Sequence, residues 1–532
     1  MRAETEAQAD VSGAVAVSTV NAHPDHSPLQ ALRNIVTSYG ALFVGSLSNI
    51  LLTPLLLGVL GTTDYGIMRV ASSLFGYIGL LDLGISTSII YFVARYDSVR
   101  QRVELDRYIS TIFNSMALLA VAAMAFSAIA ASSLAVLLGA PPETVETAAW
   151  VIRISGVMFA ANVVGGVFGG VLVGRGRYDV NNAITIFDLA INAIGTFVLL
   201  RLGYGLIPIV VFNTVIVGAG AGIRVLAVSI FQFATVVVGR IYISVLRNAA
   251  SYGFWSFLNN LASQLSFATT DMIILARVAG VSSVSLYSVA LAPVALISSF
   301  VFQFVDVFQP MITNIAYRRG GDVADVGRAF LLLTKTSILL GWGPVLLLWL
   351  AGRQLLEFWV GDIGLQAGEL LIALTFAYGW NFIGHAAGLV LLGIAKHRIL
   401  GITALIGSAN NVVLSAVLAM NFGPLGVAFG TIIVMGITEI VVLPVYTCRQ
   451  VSVPVRAYVY VVGRTAVGLL IAFGTGLAVG EATLELLGPW GATAAQCLAG
   501  GLVFLGAFWF VVCERDDRSL LVDVVRGILQ RR

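Results

Sequence analysis

Charge is scarce in this sequence: Asp, Glu, Lys and Arg together make up 11% of its 532 residues. A water-soluble domain carries about a quarter. With 58% hydrophobic residues and a mean hydropathy of +0.95, the chain has too few polar groups to cover an aqueous surface and is expected in a bilayer. A formal net charge of +3 gives no reason to expect a nucleic-acid partner. Cysteine is nearly absent. Cys448, Cys497 and Cys513 lie in or beside apolar runs without paired spacing, which argues against a disulfide framework or a zinc site and for small apolar fillers. Four histidines, two of them in the N-terminal tail, leave little material for a metal centre. Also missing are a G-x-x-x-x-G-K-[ST] nucleotide loop, H-E-x-x-H and G-x-S-x-G. No catalytic residue, metal or cofactor is therefore expected, and the chain does not read as an enzyme. Residues 1–33 lack an apolar stretch behind a basic start, so they read as a cytosolic tail rather than a signal peptide.

Long apolar runs are what the sequence does have. A helix crossing the hydrocarbon needs about 20 mostly apolar residues. Fourteen segments qualify: 36–60, 68–94, 109–138, 147–173, 181–200, 205–229, 252–276, 284–312, 329–351, 366–392, 398–420, 424–447, 459–480 and 487–513. The segment 252–276 is unusually polar. Only helices satisfy so many backbone groups in lipid without a closed barrel, so the expected fold is all-α, an integral membrane protein of about 14 transmembrane helices. Basic residues alternate between connections. Of the 30, 22 fall on the side of the N-terminus, four on the other side and four inside the spans. By the positive-inside rule both termini are cytosolic.

Three similarities recur in order. "SYG" at Ser38 returns at Ser251, "LLDLG" with Asp82 has a partner in "QFVDVFQP" with Asp306, and "LGYGLIP" resembles "FGPLGVA" at an offset near 220. They suggest two six-helix lobes in a parallel pseudo-twofold repeat, 34–229 and 251–447. Between them, 230–250 reads as an amphipathic cytosolic connector, an interfacial helix on anionic headgroups. Two further helices follow over 448–513, then a cytosolic tail over 514–532.

Ionisable residues at membrane depth usually face a cavity or a partner. Asp82 and Asp306 stand near mid-span. Each has two readings: a carboxyl bonded to hydroxyls or backbone of adjacent helices, or a group on a proton or sodium path. Asp188 and Glu439 join them as ion-coupling candidates, with Asp271 as a further acid. Among the bases, the long side chains of Arg224, Lys335 and Arg464 are near enough to the cytosolic end to snorkel, while Arg153 lies near the other face. Asn259, Asn260 and Gln264 put three amides on one apolar span, suited to a hydroxyl-rich ligand or to gluing helices together. His385 lies in the tenth segment.

"LGTTDYGIMRVASSLFGYIGLLDLGISTSIIYFVARY" (Leu60–Tyr96) is similar to the signature near the start of Wzx-type polysaccharide flippases, members of the multidrug/oligosaccharidyl-lipid/polysaccharide exporter superfamily. "DMIILARVAGVSSVSLYSVALAPVALI" (Asp271–Ile297) resembles that family's start of the second lobe. The resemblance spans roughly residues 30 to 450. It implies two lobes around a central cavity and alternating access. The implied substrate is an undecaprenyl-diphosphate-linked oligosaccharide, carried to the outer leaflet of a bacterial cytoplasmic membrane. Membrane lipids, a polysaccharide polymerase and export machinery are the implied partners, and a proton or sodium gradient is the implied driving force. A diphosphate would meet Arg153, Lys335 or Arg95. The branch that flips the peptidoglycan precursor carries several arginines in its first two spans, whereas the first span here carries no basic residue; this favours exopolysaccharide, capsule or O-antigen export. The alternatives are a cation-coupled multidrug exporter of the same superfamily and a membrane glycosyl- or acyltransferase, the latter weakened by short outer loops. The orientation is directly testable: phosphatase fused at Arg515 should be inactive and a fluorescent protein there bright, and phosphatase activity at that position would reverse the topology.

Overall fold

The computed structural model describes residues 28–80, 85–266, 268–317 and 323–513. Every regular element among the described residues is helical. Among the described residues, ten stretches are long and apolar enough to cross a membrane. The chain divides into two compact units, Met1–Ser285 and Leu286–Arg532. The first holds α1 (Pro28–Gly79), α2 (Ile85–Ser98), α3 (Arg102–Leu137), α4 (Val145–Gly174), α5 (Tyr178–Arg201), α6 (Leu206–Ile230), α7 (Ile243–Ser266) and α8 (Ala268–Ala279). After α9 (Val281–Asp306), which begins at the division, the second unit holds α10 (Gln309–Tyr317), α11 (Val323–Val360), α12 (Asp362–Gly393), α13 (His397–Met435), α14 (Leu443–Gln450) and α15 (Val455–Ala507).

Ten stretches carry what the apolar runs divide into fourteen, and the difference has a physical cause. Six expected spans fall on three stretches in which helix passes from one span to the next across a single residue, Gly61 (φ 76°), Gly423 (φ 56°) or Gly488 (φ 67°). A residue with a Cβ adopts this backbone at a cost of roughly 1–3 kcal/mol, so glycine lets two helices meet with no intervening loop. The polar segment 252–276 is helical, as parts of α7 and α8, but falls outside the ten. One expected span is interrupted, since α9 ends at Asp306 before α10 starts at Gln309, and the expected span 68–94 includes residues 81–84, which lie outside the described residues. The connector also departs from expectation. Residues 231–242 are not helical, and helix resumes only at Ile243, because side chains on α3 take over the backbone hydrogen bonds that a helix would make.

In the first unit α4 packs against both α3 and α6, and α1 against α5. Helices α7 and α8 pack against α1, α2 and α3. Close approach depends on small residues, as is usual where lipid supplies no hydrophobic drive between helices. A Cβ on Gly174 of α4 would stand 2.7 Å from Val93 of α2. In the second unit α12 lies between α11 and α13. In an apolar window of α12 72% of residues are buried, against 17% for the stretch containing α1, so α12 is the more enclosed of the two. Trp342 of α11 lies over Gly379 of α12 and donates its indole N–H to the Gly379 carbonyl at 3.0 Å. Large aliphatic side chains cover the outward faces, as a hydrocarbon solvent requires. Gly423→Ala should lower stability by about 1–3 kcal/mol, read as an earlier thermal transition in detergent. Gly58→Ala, where an added Cβ meets nothing within 4 Å, should stay within about 0.5 kcal/mol of the parent.

Candidate functional site

The second unit holds three of the ionisable residues singled out from sequence, Asp306, Glu439 and Lys335, and also His385, which pairs with the first of them. Asp306 is the last residue of α9, where the expected span breaks. Its carboxylate is 53% exposed and lies 2.8 Å from His385 Nε2 on α12. Phe302, one turn back on α9, packs on the imidazole with ring centroids 4.5 Å apart. The neighbour of His385, Gly384, has no side chain because the Glu439 carboxylate occupies the place where a Cβ would project. Glu439 sits in a π-helical segment, Gly436–Val442, between α13 and α14. Such one-turn bulges put an extra residue into a helix and turn a side chain away from its regular face. The segment is held by Tyr458 of α15, whose hydroxyl donates to the Ile440 carbonyl at 2.9 Å. Lys335 is on α11. The contacts of Gly341 with Phe382 and of Gly352 with Leu371 fix the α11–α12 register. They place Lys335 about one turn from the level of His385.

Lys335 corrects an expectation. It is only 4% exposed, so its ammonium does not snorkel to the surface. Arg224 does not snorkel either. Its guanidinium is held by Asn181 (3.1 Å), Asp188 (3.2 Å) and Thr185 (2.9 Å), all on α5. Asp188, expected as an ion-coupling acid, is therefore half of an ion pair that joins α5 to α6. Arg153 remains accessible: half-buried on α4, it lies over the Trp150 ring at 5.1 Å and donates to Ser132 of α3 at 3.3 Å. Arg95, in the last turn of α2, is exposed. Asp82 lies outside the described residues, as do the side chains of Asn259, Asn260 and Gln264, whose backbone belongs to α7. Among the described residues no group of three His, Cys, Asp or Glu side chains is arranged to hold a metal ion.

The arginine-rich end of the first unit holds interactions that sequence reading missed. Arg33 pairs with buried Asp179 at 3.1 Å, and Asp179 also takes a hydrogen bond from Arg177 Nε at 3.1 Å. Arg175 pairs with Asp97 and donates to the Phe233 carbonyl at 2.9 Å, and burial lowers its guanidinium pKa from the ordinary value. One signal was visible: Asp106, Ser110 and Asn114 recur every four residues, a polar stripe on one face of an apolar helix.

Known proteins give this geometry a context. The chain superposes on the lipid II flippase MurJ in an inward closed conformation with a TM-score of 0.69 and 18% identity, covering 89% of this chain and 97% of that one. An inward-facing multidrug resistance MATE family transporter of the MOP superfamily gives 0.64 and 17%, covering 79% and 98%. A MOP superfamily transporter from Pyrococcus furiosus gives 0.58 and 16%, covering 80% and 95%. At these identities the likeness is one of fold. No curated protein matches the sequence significantly. The profile of the polysaccharide biosynthesis protein family fits residues 31–316, more than half of the length. This all-helical, multi-pass membrane protein, with the fold of the MurJ and MATE transporters, belongs to the polysaccharide biosynthesis protein family.

Proposed function

We propose that the protein is a flippase that carries undecaprenyl-diphosphate-linked oligosaccharide from the inner to the outer leaflet of a bacterial cytoplasmic membrane, for surface or exopolysaccharide synthesis. The observation that carries this reading is a polysaccharide-biosynthesis sequence on a fold shared with a flippase of another lipid-linked precursor. The physics supports it. A diphosphate cannot cross about 30 Å of hydrocarbon unshielded, so the carrier needs cations at membrane depth and two states that open to opposite leaflets. Arg153 and Lys335 are such cations, one in each unit, and Arg95 is a further contact for the headgroup. Asp306 with His385, and Glu439 beside Gly384, are the groups we assign to proton or sodium coupling. A cation-coupled drug exporter is the second reading, favoured by the likeness to MATE transporters.

Purified protein in vesicles should translocate a labelled lipid-linked oligosaccharide. Failure to do so, with efflux of amphipathic cations instead, would select the second reading. Losing one charge-assisted contact costs about 1.5–3 kcal/mol, so Arg153→Ala should cut surface polysaccharide about tenfold or more at normal protein abundance. Arg153→Lys should restore part of it, since a moving site uses charge more than bidentate geometry. Lys335→Met, which keeps the buried stem, should act like Arg153→Ala. For coupling, Asp306→Asn and His385→Asn should each weaken gradient-driven export, and the double variant should be no worse than either alone, as expected of residues acting as a unit. Full export by all three would remove the pair from the coupling path.

A further inference from the structure

The connector between α6 and α7 is bonded to α3 along its length. Thr235 N–H donates to Asp106 Oδ1 (2.7 Å), Val237 N–H to Ser110 Oγ (2.9 Å) and Gly239 N–H to Asn114 Oδ1 (3.0 Å). In the other direction Asn114 Nδ2 donates to the carbonyls of Val237 (2.9 Å) and Arg240 (3.0 Å). The spacing of four along α3 puts Asp106, Ser110 and Asn114 in a row, and the strap lies along that row. Both ends are clamped by cations on rings: Arg177 over Phe231 at 4.8 Å and Arg107 over Tyr242 at 4.1 Å.

A strap in water would gain little from this, because water satisfies exposed amides. Irregular backbone needs protein partners where water is scarce. The side chains say the same. Val238 is 78% exposed and Ile243 79%, and Val237 and Ile241 are exposed beside them. The surface continues from α6, whose Leu226 and Ile230 are also exposed, so the outward apolar face of a membrane helix runs on into the strap. Arg240 and Arg247 are exposed within the same stretch and form no ion pair among the described residues. Apolar side chains flanked by unpaired arginines match the boundary between acyl chains and acidic headgroups.

We propose that residues 231–247 form a lipid-immersed strap, with Val238, Ile241 and Ile243 in the acyl region and Arg240 and Arg247 binding the phosphates of anionic phospholipids. At Thr235, Val237 and Gly239 the side chains of α3 replace the water that the strap amides give up. The strap thereby pins the start of α7 at the membrane boundary.

The test needs no transport activity, so its outcome is separate from that of the flippase reading. Cys448, Cys497 and Cys513 are first replaced by alanine, and a nitroxide is placed at Val238→Cys, Ile243→Cys or, as a water-exposed reference, Gln101→Cys. In vesicles of phosphatidylcholine and phosphatidylglycerol, oxygen should relax the labels at 238 and 243 more than a water-soluble nickel chelate does, with the reverse at 101. Separately, titration of phosphatidylglycerol in mixed micelles should show apparent affinity falling about fivefold for each of Arg240→Gln and Arg247→Gln, given roughly 1 kcal/mol per basic residue at such a surface. Stronger relaxation by nickel at both 238 and 243 would overturn immersion. Unchanged affinity in the double glutamine variant would overturn the headgroup site.

Discussion

Backbone amides and carbonyls shielded from water must find partners inside the protein, and much of this structure follows from that rule. Helices meet it along their length, which is why the regular structure is helical. Exceptions occur where partners are supplied. At Gly61, Gly423 and Gly488 the interruption is a single residue. In the π-helical segment around Glu439 the Ile440 carbonyl is taken by the Tyr458 hydroxyl. Along the connector, three polar side chains of α3 take the place of an internal ladder.

Charges obey the same economy. Arg224 is surrounded by Asp188, Asn181 and Thr185, and its three bonding nitrogens are all used. That arrangement fastens α5 to α6 and leaves the guanidinium little capacity for a ligand. Arg153 has one hydrogen bond and a ring, a much looser setting. Asp306 differs again: its partner is a histidine, whose charge is itself changeable, and more than half of its surface is open. The Arg224–Asp188 pair is enclosed between two helices, whereas the Asp306–His385 pair is open on its carboxylate side.

The helical class and nearly all of the spans were legible because hydropathy over about 20 residues is a collective signal that no single contact can overturn. The breaks were not, since a glycine at 61 looks like the glycine at 58, and only the backbone torsion separates them. Asp306 stood out as a carboxyl in an apolar run, whereas its partner is 79 residues away on another helix and no periodicity links them. Lys335 illustrates the opposite failure: distance from a span end suggested a snorkelling side chain, and the packing of its helix decided otherwise. The connector was read from composition as an amphipathic helix. Its apolar and basic character holds, but its conformation is set by a polar stripe more than a hundred residues earlier, a long-range pairing that local propensity does not encode.

The single-glycine joints bear on how the chain enters the bilayer during synthesis. Two spans separated by one residue leave no length of chain to wait in water while the first helix inserts alone. The second span of such a pair is held at the membrane surface as soon as the first is in place, and its polar joint must be carried across with both flanking helices already formed. Where the two arms pack on each other, as they do around Gly423 and Gly488, such a pair is suited to insert as one unit in which one arm offsets hydrophobicity lacking in the other. A pair can then carry a residue such as Glu439 to membrane depth, which an isolated span of the same composition would do only at greater cost.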